Sequence, residues 1–376
     1  MDSDTRIAEA LRRAGASFDP DTVGALGRVR SRDVRRHARR RAVAVGALVA
    51  CVVAVAGIVL VRSSDGPGGA RPGVGPTGAA PPAVGEAPLR VIRTLTAGSL
   101  GLERLLAVAV APSGHLYVTD ASQTVSELTP QGRVVRSWGG PGTAPGRFRM
   151  QTGSLAVGDD GRVYVVDTGN FRVQVFSADG AFLDAWGTFG EGPGQFLWPF
   201  DVAVDDQGGV YVADDRAVTL TRLSGSGDQV WRSGDPRDTP ADLVGHTHFS
   251  QVDLDGNLLL ANDDAGLVVR LAPDGREVAA FGSSSSGAHG GPTISPVGLF
   301  PEGACDASVD ARGWVYVTSC GDPTDPDHTT RVFDTAGQLT GVWHDNPLSR
   351  SPVFAAEGRA WAVGSDGSLL ELGVTG

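Results

Sequence analysis

The chain has 376 residues, 53 of them Gly and 23 Pro, and a formal net charge of -11 with pI about 5.1. Such an acidic balance excludes a general nucleic-acid binder. The Gly and Pro content points to a turn-rich all-β body, and three cysteines (Cys51, Cys305, Cys320) exclude a Cys-rich zinc module or a disulfide-built miniprotein. Every cationic residue other than His is Arg.

Residues 1–41 hold eleven Arg against six acidic residues, ending in the cluster RRHARRR. Residues 42–61 are uncharged and apolar, followed by Arg62. A helix of about 20 residues spans the roughly 30 Å hydrocarbon core. The basic flank predicts a single-pass signal-anchor with residues 1–41 cytoplasmic and the rest extracytoplasmic. A cleaved signal peptide fits less well, because the basic start is long and no small-residue site follows Val61. Cys51 lies in a lipobox-like run, but mid-span, and reads as a small apolar residue. Residues 62–87 are rich in Gly, Pro and Ala and cannot bury a core, so they read as a linker.

From residue 88 one pattern recurs. An alternating apolar strand leads into a turn whose Gly precedes a second apolar strand, as in DVAVDDQGGVYVAD at 201–214. The marker glycines are Gly114, Gly161, Gly208, Gly256, Gly313 and Gly358. Alternation on both sides of a Gly turn is a β-hairpin signal. A third strand and a fourth ending in an aromatic and Gly (Trp138-Gly139, Trp186-Gly187, Phe281-Gly282) follow in most units. Four strands per unit of roughly 40–50 residues predict β-propeller blades, because one sheet buries both faces only by packing between neighbours. The last unit has three strands before the chain ends. LRVIRTL at 89–95 is expected to supply its fourth and close a six-bladed ring.

Two runs carry a family resemblance: Trp186-Gly187-Thr188-Phe189-Gly190 through Gly192-Pro193-Gly194-Gln195-Phe196 to Pro199–Asp205, and Val165–Phe176 with its Asp167-Thr168-Gly169-Asn170 centre. They resemble NHL repeats. The resemblance implies an all-β, six-bladed NHL-like propeller over 88–376. With its anchor the chain is similar to the outer sensor propellers of bacterial receptor Ser/Thr kinases, without a kinase domain. It implies a binding or sensing module at the cell envelope, whose partner would be an envelope protein, a peptide or a glycan. The alternative is an extracytoplasmic metal-dependent hydrolase or lyase working at the channel mouth.

Counting from the marker glycines places Leu106, Gly153, Phe200, His248, Cys305 and Arg350 where the inner strands enter the channel. Trp198, Phe200, Asp201, His248 and Arg350 are therefore the candidate ligand-binding residues, with Phe196 in the same aromatic patch. Asp120, Asp167, Asp214 and Asn262 recur with the repeat and read as turn caps rather than a metal ring. Blade five carries a longer loop, in which Asp322, Asp325, Asp327 and His328 could hold a cation. If Val309 pairs with Trp314, Cys305 lies one diagonal step from Cys320, and the pair is a candidate disulfide. Peptidyl-hydroxyglycine lyases share the repeat architecture and use several His ligands; here only His248, with His246 nearby, is in reach. Lactonase-type propellers use an acidic and Asn set, for which Glu103 is the nearest match. No nucleophile elbow, phosphate loop or H-E-x-x-H occurs. No catalytic set and no cofactor is expected, with Ca2+ or Zn2+ the open alternative.

Overall fold

The structure is a computed structural model describing residues 85–149, 153–233, 247–253, 255–262, 267–282, 303–319, 328–335, 337–344, 347–355 and 358–374. Within the unit Pro81–Gly376, these residues form a six-bladed propeller. The chain enters through β1 (Gly85–Glu86) and β2 (Leu89–Leu95). Blade I is β3 (Leu105–Val110), β4 (Leu116–Asp120), β5 (Thr124–Leu128) and β6 (Val134–Gly139). Blade II is β7 (Leu155–Val157), β8 (Val163–Asp167), β9 (Arg172–Phe176) and β10 (Phe182–Trp186). A short parallel pair, β11 (Thr188–Phe189) and β12 (Gln195–Phe196), leads to blade III. That blade is β13 (Pro199–Val204), β14 (Val210–Asp214), β15 (Thr219–Leu223) and β16 (Gln229–Arg232). Blade IV is β17 (Thr247–Val252), β18 (Leu258–Asn262), β19 (Leu267–Leu271) and β20 (Glu277–Gly282). Blade V is β21 (Ala304–Val309), β22 (Val315–Ser319), β23 (Thr330–Phe333) and β24 (Leu339–Trp343). Blade VI is β25 (Val353–Phe354), β26 (Arg359–Val363) and β27 (Leu369–Val374).

Each blade is an antiparallel meander running from an inner strand outward. The predicted hairpins form, and all six marker glycines adopt positive φ, between 69° and 80°, where a side chain costs roughly 1–2 kcal/mol. Inner strands neighbour one another in chain order, and β25 packs against β3, so the ring closes. Closure is as expected: β2 pairs antiparallel with β27, from Leu89 opposite Val374 to Leu95 opposite Leu369. The sequence did not suggest β1, which adds parallel to β24 at the outer edge of blade V.

The core is distributed. One apolar cluster fills each of the six blade interfaces, from Phe148, Val163 and Phe176 between blades I and II to Leu105, Val118 and Trp361 between blades VI and I. Second strands such as β8 and β14 are therefore buried along their whole length. That burial on both faces is why they read as continuous β-branched and aromatic runs. Tyr164, Tyr211, Tyr316 and Trp361 are fully enclosed, each contributing roughly 2–3 kcal/mol by area.

Two registers differ from expectation. In blade V, Val309 pairs with Val315 rather than Trp314, and Cys305 occupies a bulge between the pairs Ala304–Ser319 and Asp306–Thr318. Blades I and III place their bulges at the same step, at Leu106 and Phe200. In blade IV the irregularity falls later, between Phe249 and Gln251. His248 consequently pairs with Ala261, the row that Asp201 and Ala213 occupy in blade III. Among the described residues no helix is long and apolar enough to cross a membrane. The expected span at 42–61 lies outside them, as do residues 1–41 and the linker through residue 84.

Candidate functional site: the central channel

The inner strands enclose a cavity of about 580 Å³ with wall residues from all six blades. Most of its wall is small and apolar, because alternating Ala and Val positions let neighbouring inner strands approach closely. The polar residues at the strand-entry end form a row seven positions before the marker glycines: Ser154, Asp201, Asp306 and Ser351.

Asp201 is the centre of this row. Its Oδ1 accepts hydrogen bonds from the backbone N–H of Val202 at 3.0 Å and from the Ser154 hydroxyl of blade II. Its Oδ2 lies 3.4 Å from Nη1 of Arg350. Blades III and VI are opposite in the ring, so this pair spans the channel. Asp306 belongs to the neighbouring wall and accepts from the Ser351 N–H at 3.2 Å. The Ser351 hydroxyl in turn meets Thr318 Oγ1 at 3.0 Å. Deeper in, Gln251 accepts from the Val309 N–H at 3.2 Å. These bonds join different blades and hold the polar atoms in place.

At the hairpin end, Asp205 is buried against Arg222 at 2.8 Å and Tyr211 at 3.2 Å. Asp310, Arg312 and Tyr316 repeat this arrangement in blade V. Burial pushes the Tyr211 phenol up to about 12, with Arg222 pulling it down and Asp205 pushing it up. Tyr316 is displaced upward for the same leading reason.

Of the predicted ligand residues, the structure brings Asp201 and Arg350 together. Trp198 is partly buried and stacks under the Arg216 guanidinium, 4.2 Å from the ring centroid. Phe200 and Phe196 are corrections to the expected aromatic patch: both are buried, in the cores on either side of blade III. The bulge turns Phe200 into the interface and leaves Asp201 toward the channel. His248 is placed by register alone. The repeating Asp residues are turn caps, as expected. Asp120 accepts from the N–H groups of Ser122 and Thr124 and from the Ser122 hydroxyl. Asp214 caps Leu197, Trp198 and Ala217. Asp167 gathers the Arg149 N–H, Asn170, Arg172 and Gln174.

In the blade-five loop, Asp322, Asp325 and Asp327 lie outside the described residues. His328 is buried, with Nε2 at 2.9 Å from the Leu348 carbonyl. Among the described residues no three His, Cys, Asp or Glu side chains group as a metal set. Cys305 is disulfide-bonded, and Cys320, its expected partner, lies outside the described residues. Ser154, Asp306 and Ser351 were missed because counting eight positions back from each glycine ignores the bulge; counting seven finds them.

The NHL repeat family matches residues 153–176, the stretch from the blade II inner strand to the end of β9. No curated protein matches the chain. Among solved structures, a gluconolactonase from Xanthomonas campestris is 18% identical with a TM-score of 0.51, over 79% of this chain and 98% of that one. A virginiamycin B lyase from Staphylococcus aureus, an inactive variant with quinupristin, is 11% identical with a TM-score of 0.48, over 72% of this chain and 80% of that one. At these identities the gluconolactonase likeness speaks for the fold. The chain is a six-bladed β-propeller that carries an NHL repeat.

Proposed function

We propose that this protein is a membrane-anchored binding or sensing module of the bacterial cell envelope, recognising its ligand in the propeller channel. The observation that carries the reading is the Asp201–Arg350 pair, which places opposite charges from opposite blades in one cavity. A pocket of this size with a few convergent polar groups is the usual form of a ligand site. Recognition from several blades at once needs the rigid frame that the interblade hydrogen bonds provide. The partner would be an envelope protein, a peptide or a glycan.

The anchor and location rest on the sequence: the basic segment 1–41, the apolar run 42–61 and the linker 62–87. Short basic segments beside a span are suited to anionic lipid or a cytosolic partner. The hydrolase or lyase alternative has less support, because the buried carboxylates of the channel, Asp201, Asp205, Asp253 and Asp306, are tied to backbone N–H groups and Arg rather than converging on one point.

Two measurements test the proposal. Protease added to intact cells should digest 88–376 and spare 1–41; protection of the propeller overturns the location. The full chain should retain a component of cell-envelope extract to a degree that D201N and R350A each alter. Equal retention by both variants overturns the channel as the site.

A further inference from the structure

The charge carried by the cavity wall is mostly acidic. Its charged residues, among those described, are Asp159, Asp201, Asp205, Asp206, Asp253 and Asp306 against Arg350 alone. Arg222 and Arg270 pair with Asp205 and Asp253, each at 2.8 Å, while Asp159 and Asp206 are exposed in the hairpin turns. Among the described residues, the cation facing Asp201 at the entry end is therefore Arg350. It is loosely held: a guanidinium has five N–H donors, and among the described residues this one makes a single polar contact, at 3.4 Å, with its side chain 30% exposed. Asp201, by contrast, is fixed by Ser154 and Val202 on its other oxygen.

A second observation marks the same wall. Ser308 lies two positions beyond Asp306 on β21, is 3% exposed and lines the cavity, and its Oγ has no hydrogen-bond partner among the described residues. A buried hydroxyl of this kind calls for a partner that none of the described residues supplies.

Resting on the channel as the binding site, we propose that its ligand presents an organic cation, a guanidinium or primary ammonium group, and that Arg350 is an internal stand-in for it. The ligand cation takes the Asp201 Oδ2 position, Arg350 swings toward the mouth, and Asp306 and Ser308 offer further acceptors. An anionic ligand would do the reverse. It would draw Arg350 away and leave Asp201 without its cation in a confined space, which is costly. Because Arg350 competes for the same carboxylate, it acts as a threshold: a ligand binds with the affinity of the open seat multiplied by the fraction of time that the seat is open.

The test uses the full chain in detergent micelles, with calorimetric or NMR titration of N-acetyl-argininamide, putrescine and N-acetylglutamate. The two cations should bind and the anion should not. R350A should tighten cation binding by about tenfold if Arg350 holds the seat roughly nine-tenths of the time, and D201N and D306N should weaken it. An unchanged melting temperature in R350A keeps that comparison free of unfolding. Binding of N-acetylglutamate that is lost in R350A overturns the cationic assignment but leaves the channel as the site. Cation binding indifferent to R350A, D201N and D306N, or no binding of any probe at millimolar concentration by wild type or R350A, overturns the proposal, and indifference to all three variants removes the channel reading with it.

Discussion

Trp186, which ends the outer strand of blade II, packs against the β15–β16 turn of blade III so closely that a Cβ on Gly227 would stand 2.5 Å from the indole. The contact recurs. Trp138 of blade I meets Gly180 of blade II at 2.7 Å by the same measure, and Trp231 of blade III meets Gly275 of blade IV at 3.5 Å. At the ring closure Leu95 stands in for the Trp, against the Cβ position of Gly132. The Trp near the end of the fourth strand in blades I to III is thus a latch onto the next blade.

Gly227→Ala should therefore cost about 3 kcal/mol, combining roughly 1–2 for φ of +86° with roughly 1–3 for the clash. Gly208→Ala is the control: its φ is +78° but nothing lies within 4 Å of the added Cβ, so about 1 kcal/mol is expected. Urea unfolding of both variants checks this. Equal losses would mean that the latch contributes nothing.

Ring closure predicts a sharp dependence on where the chain begins. A chain starting at residue 96 lacks β2, the outer strand of blade VI, together with the Arg93–Glu371 pair at 2.6 Å and the Leu95 latch. It should lose cooperative thermal unfolding and aggregate, since β27 becomes an uncovered edge. A chain starting at residue 88 loses only β1 and Ala87, which adds one more bond to Val342, and should melt within a few degrees of one starting at residue 81. Similar melting of all three would show that the ring holds without β2.

How much of this was legible beforehand depends on what each residue was doing. The marker glycines and their flanking alternation encode a local backbone need, positive φ at a hairpin, and so they read directly. The closing strand read equally well, because LRVIRTL alternates and blade VI lacked a partner. The channel row did not, because a bulge is invisible in a polar–apolar pattern and shifts every side chain beyond it by one. That shift put Phe200 in the aromatic patch on paper and in the core in space. Arg350 reaches Asp201 only because blades 149 residues apart face each other, a relation that exists once the ring is closed.

Asp167 tests the distinction between scaffold and site. It is fully buried and accepts from the Arg149 N–H at 2.7 Å, Asn170 at 2.9 Å, Arg172 at 2.8 Å and Gln174 at 2.9 Å. Arg172 and Gln174 also bind the Arg147 carbonyl, so the cluster ties the blade I–II linker to blade II. Asp167→Ala should cost about 3–5 kcal/mol, because it strands a partly buried guanidinium, and Asp167→Asn should fall between it and wild type. Ligand retention per folded molecule should not change. A retention defect in a variant that melts normally would move Asp167 from the scaffold into the site.

The hairpin-end tyrosines predict how stability depends on alkaline pH. An unfolded tyrosine ionises near 10, whereas burial pushes Tyr211 to about 12 and displaces Tyr316 in the same direction. A folded-state pKa above the unfolded one means that the folded chain keeps its proton longer. The contribution is then complete below about pH 10 and declines between about 10 and 12, at up to about 1.4 kcal/mol per pH unit for Tyr211. Tyr211→Phe should lower stability at pH 8 by about 1–2 kcal/mol, because Asp205 and Arg222 lose a hydrogen-bond partner. Yet its urea midpoint should fall less steeply than that of wild type between pH 9.5 and 11. The double variant Y211F/Y316F should be flatter still, with Tyr117 and Tyr164, both displaced upward, supplying the remaining slope. Parallel alkaline slopes in wild type and Y211F would mean that Tyr211 ionises in the folded chain as readily as in the unfolded one, and that its site is open to water.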